Sequence, residues 1–63
     1  MNTEEKRKMI LERIAILDKH IQILQSNIDG GYQNKDGKPS FESVIQDYTG
    51  KKNALISAID DLK

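Results

Sequence analysis

A chain of 63 residues with ten basic side chains, ten acidic ones and no cysteine has room for one domain and builds no disulfide framework. Its formal net charge of zero gives no strong field to gather DNA, RNA or anionic lipid, so neither nucleic acid nor a membrane is expected as a partner. One histidine with no thiolate excludes the usual zinc sites, and no metal or cofactor is expected.

The first predicted element opens at Asn2 or Thr3. Either can cap a helix, and Glu4 and Glu5 follow where the helix dipole favours negative charge. The segment after Met1 lacks the long apolar core of a signal peptide, and no apolar run in the chain reaches membrane-spanning length. A cytoplasmic protein is expected. Ile10, Ile14, Leu17, Ile21, Leu24 and Ile28 then recur at alternating spacings of four and three. That spacing holds branched apolar side chains on one stripe of a helix, the seam that packs on another helix.

The same helix carries a second apolar row. Met9, Ile16 and Ile23 repeat every seven residues, about 100° around the helix from Leu17 and Leu24. One partner helix cannot cover both rows. Arg13, His20 and Asn27 fall between them. The expectation is an oligomer interface formed by Met9, Ile16, His20, Ile23 and Asn27, with Asn27 able to fix register as buried asparagines do in coiled coils.

Asp29, Gly30 and Gly31 end the helix, because glycine enters the left-handed region at a helix C-terminus without penalty. Residues 29–39 form the one non-helical stretch. Asp36-Gly37 is a turn signal, and a short hairpin of Tyr32–Asn34 against Lys38–Ser40 is conceivable, although Pro39 removes a donor from it. This connection is longer than most helix–helix links. Its side chains Tyr32, Gln33, Lys35, Asp36 and Lys38 are read as a surface that binds a partner protein, with Tyr32 as the anchor.

The second helix is expected from Ser40, a good N-cap, to about residue 62. Its stripe runs Phe41, Ile45, Tyr48, Lys52, Leu55, Ile59, Leu62, broken by the charge of Lys52. Gly50 is a second irregularity and predicts a kink, a pinch or a break between Thr49 and Asn53. The two stripes match in one antiparallel register. Ile28 faces Phe41, Leu24 faces Ile45, Ile21 faces Tyr48, Leu17 faces Lys52, Ile14 faces Leu55 and Ile10 faces Ile59. In that register Lys51 and Lys52 lie near Asp18, and one of them is expected to pair with it.

The residues offer no catalytic constellation. There is no cysteine nucleophile, and Ser26, Ser40, Ser43 and Ser57 lack the spacing of a nucleophile elbow. No catalytic residue is assigned and no enzymatic activity is expected. The expected architecture is all-α: an antiparallel two-helix hairpin, helices near 3–28 and 40–62, assembling as a homodimeric four-helix bundle. The expected function is a non-enzymatic interaction module, a small regulator or inhibitor whose partners are itself and an unidentified protein. The frequency of Ile, Lys, Asn and Asp suits an AT-rich bacterial or phage genome and a target in the host cell. A second reading, from Tyr48, Lys51 and Lys52, is a binder of a small anion or nucleic acid through stacking and charge.

Overall fold

The computed structural model describes residues 2–62 and holds two α-helices, α1 (Thr3–Asp29) and α2 (Phe41–Asp60). They pack against each other as a hairpin 44 Å long and about 16 Å across. Among the described residues there is no strand. No described helix is long and apolar enough to cross a membrane.

Each helix starts at a side-chain cap. The Asn2 side-chain oxygen accepts the Glu5 backbone N–H at 2.8 Å, and the Ser40 hydroxyl accepts that of Ser43 at 3.1 Å. Each cap satisfies one of the N–H groups that a helix start leaves without an intrahelical partner. The end of α1 is a glycine cap. Gly31 sits at φ 81°, its N–H donating to the Ile28 carbonyl at 3.0 Å, while the Tyr32 N–H reaches back to the Asn27 carbonyl at 2.9 Å. This paired reach-back is the Schellman arrangement, and it needs a residue that tolerates positive φ.

The conceivable hairpin between the helices does not form. The segment between the two helices is instead organised by Asn34, a half-buried side chain. Its amide nitrogen donates to the Pro39 carbonyl at 2.9 Å and its oxygen accepts the Lys35 N–H at 2.9 Å. Inside that clasp Lys38 N–H bonds to the Lys35 carbonyl at 3.0 Å, a tight turn with Gly37 at φ 81°. One side chain bonding the two ends of the Lys35–Pro39 turn stands in for the ladder that the Pro39 imide could not join.

Of the kink, pinch or break expected at Gly50, the break does not occur, since α2 runs unbroken from Phe41 to Asp60. A Cβ built on Gly50 would meet nothing within 4 Å. Gly50 faces solvent and leaves only its poor helix propensity, about 1 kcal/mol against alanine, which a packed helix absorbs. The charge of Lys52 does not interrupt α2 either. Its ammonium lies 2.7 Å from an Asp18 carboxylate oxygen across the seam, as the register anticipated. Lys52 pairing with Asp18 and the His20 ring beside Tyr48 bracket the predicted Leu17–Lys52 and Ile21–Tyr48 rungs. They also show the helices to be antiparallel.

The core is thin. Leu17, at 8% exposed, is the one buried hydrophobic side chain among the described residues, and no side chain is fully enclosed. The other seam residues, from Ile10 to Ile28 on α1 and from Phe41 to Ile59 on α2, with Leu62 just beyond it, are only half-buried. Two helices touch along one line, so each seam side chain keeps a flank in water.

Candidate interaction face

The site begins with the helical period. Ile16 and Asp18 precede and follow Leu17, and each is turned about 100° from it. Leu17 is the buried seam residue, so Ile16 and Asp18 fall on opposite sides of the hairpin. The Asp18 side holds the Lys52 ion pair. The Ile16 side holds a groove.

That groove is lined from α1 by Arg13, Ile16 and His20, and from α2 by Tyr48, Lys51 and Ala54. Leu17 and Leu55 form the rest of its wall. It continues toward the loop end as a second, smaller depression where Ile23 and Leu24 meet Val44. His20 and Tyr48 line both, so the two depressions share a wall. Their rings stand with centroids 6.0 Å apart at a tilt of 42°. The Lys51 ammonium lies 5.6 Å from the centre of the Tyr48 ring, within the range of a cation–π contact.

The second apolar row lies on this side. Met9, Ile16 and Ile23 are 54%, 48% and 55% exposed, against 8% for Leu17. The structure therefore sets Ile16 and Ile23 in two adjoining depressions that share His20 and Tyr48. Met9 continues their row two turns toward the start of α1. Asn27 is half-buried near the end of the helix, where its carbonyl receives the Tyr32 N–H.

The loop residues form a separate surface at the end of the hairpin. Tyr32 is 69% exposed, with its ring against Gly30; a Cβ on that glycine would stand 3.0 Å from the ring edge. Gln33, Lys35, Asp36 and Lys38 are exposed around the Asn34 clasp. The Tyr48, Lys51 and Lys52 set is divided by the fold. Lys51 stays with Tyr48 at the groove, whereas Lys52 is held by Asp18 across the seam. Among the described residues no three His, Asp or Glu side chains gather where they could hold a metal ion.

Six groove residues escaped the sequence pattern as site residues. Arg13 was placed only between the rows, Leu17, Leu24 and Leu55 only on the seam, and Val44 and Ala54 on neither. Their signal is sidedness. Val44 and Ala54 sit to one side of the Tyr48–Leu55 line, the side that Ile16 occupies on α1. No family model, no curated protein and no solved structure matches the chain.

Proposed function

We propose that this chain is a non-enzymatic protein-interaction module, a small cytoplasmic regulator or inhibitor of bacterial or phage origin. It works as a homodimeric four-helix bundle and offers its loop to a second protein. The observation that carries this reading is the open apolar side. A hairpin with one buried side chain leaves Met9, Ile16 and Ile23 about half exposed, all on one row. Burying such a side chain contributes about 1.5–3 kcal/mol. Two copies of the row weigh several kcal/mol against an association cost of about 4–15 kcal/mol. Stability of so short a chain then depends on its concentration.

Sedimentation across micromolar concentrations tests the assembly, with twice the chain mass expected and a constant monomer mass as the contrary result. The loop is tested separately. Protein captured by the intact chain from a bacterial lysate is expected to be lost with Tyr32→Ala plus Lys38→Ala; capture unchanged by that pair would remove the loop from the reading. The anion-binding alternative has less support, because Lys52 is already paired with Asp18.

A further inference from the structure

We infer that the dimer interface is not confined to α1. It is the whole groove side of the hairpin, with α2 contributing Val44, Ala54 and Ala58, and its occupant is the same side of a second copy. This rests on the self-association reading and adds to it which surface is shared and by which helices.

Area supports a second copy. The chain exposes 5025 Å². A compact monomer of 7.2 kDa would expose about 4,100 Å², so the hairpin carries an excess of about 900 Å². A standard interface covers about 800 Å² on each partner. The α1 row is a single line of side chains along one helix, whereas the excess is as large as a complete interface. The groove side joins that row to the adjoining surface of α2. Timing also supports a second copy. With one buried side chain among the described residues the hairpin's own core is thin, which favours a cover that is present whenever the chain is folded. A copy of itself meets that condition; a partner met only occasionally does not.

The chemistry of the groove fits burial. Ile16, Ile23, Val44 and Leu55 give it an apolar floor. Ala54 is exposed at its α2 edge, and Ala58 follows one turn later on the same side. These short side chains let another helix approach closely. Arg13 and Lys51 are the full charges lining the larger groove. Both have long apolar stems that can lie on the floor while their heads reach the rim. The tilted His20–Tyr48 pair completes a wall of the mixed aromatic kind that interface centres favour.

The test compares neighbouring exposed positions of α2. Ala54 lines the groove; Asn53, about 100° around the helix, does not. Ala54→Glu is expected to raise the dimer dissociation constant about a hundredfold, since its longer side chain fills the space through which the second copy's helix would approach. Asn53→Glu is expected to leave it unchanged. A wild-type chain that sediments as a monomer overturns the self-association reading and this inference together. A wild-type dimer that tolerates Ala54→Glu as well as Asn53→Glu overturns the inference alone and confines the interface to α1. Should Ala54→Glu unfold, thiol labelling decides, because the chain has no cysteine of its own. A thiol at Ala54→Cys is expected to be labelled more slowly as protein concentration rises, while one at Asn53→Cys is not; equal rates overturn the inference.

Discussion

The two broad sides of the hairpin differ in what they do with the residues next to Leu17. On one side Asp18 reaches across to Lys52 and the two charges satisfy each other. On the other, Ile16 lines a groove that opens toward Tyr48 and Ala54. Exposed apolar residues occur on both sides. Leu11 lies two turns before Asp18, and Ile56 one turn after Lys52, at 51% and 44% exposure. Leu11 lines a depression that α1 forms alone among charged side chains, whereas Ile16 and Ile23 line depressions walled by both helices. Exposure alone is ordinary; apolar continuity across two elements is what sets the groove side apart.

The largest expected effect breaks this contrast directly. Ile16→Glu with Ile23→Glu puts two carboxylates into the groove side. It should dissociate the assembly and lower its melting temperature, read by sedimentation and by a thermal melt at matched concentration. Leu11→Glu with Ile56→Glu places the same charges on the ion-paired side and should preserve the assembled mass. If both pairs behave alike, the two sides are equivalent and the contrast fails.

Leu17 divides the sides and is next in size. Leu17→Ala empties the most enclosed site in the molecule and should destabilise by about 2–4 kcal/mol. Ile14→Ala, on the same seam but half-buried, should be milder, because neighbours and water can fill its open flank. Chemical denaturation of the two variants at one concentration makes the comparison; equal and negligible effects would show that the seam carries no stability.

The seam was legible in the sequence because its signal is local and periodic. Ile10 through Ile28 and Phe41 through Leu62 repeat at helical spacing, and a shared register follows from the repeats alone. Lys52 looked like an interruption, yet its partner Asp18 was predictable from that register. The clasp at Asn34 was not legible, because an asparagine in a loop has many possible hydrogen-bond partners and only the path of the chain selects Pro39 and Lys35. The α2 half of the groove was hidden for a different reason. Ala54 and Val44 carry no hydrophobic period of their own. They gain meaning only once the groove is seen to open on their side of the Tyr48–Leu55 line.

Gly50 and Lys52 are two irregularities two residues apart in the sequence of α2. The structure separates them: Lys52 turns to Asp18, and Gly50 is an open, exposed helical position. Gly50→Ala should therefore stabilise by about 1 kcal/mol or less, through propensity and through a less flexible unfolded chain. A fall in melting temperature would show that the back of α2 meets something at this position. Because the residue is away from the groove, the assembled mass should not change.

The smallest expected effect lies on the ion-paired side. The Lys52 and Asp18 side chains are 27% and 46% exposed, so water screens their attraction and each gives up rotamer freedom to hold the pair. A double-mutant cycle with Asp18→Asn and Lys52→Met should return a coupling below about 1 kcal/mol, weakening as salt is added. Lys52→Met should be nearly neutral by itself, since its stem already lies along the seam and a thioether can occupy the same path beside Leu17. A coupling of several kcal/mol, insensitive to salt, would mean that this pair is shielded from water. Shielding of that kind requires something to cover the Asp18 side as well, and it would remove the asymmetry on which the assignment of the groove side rests.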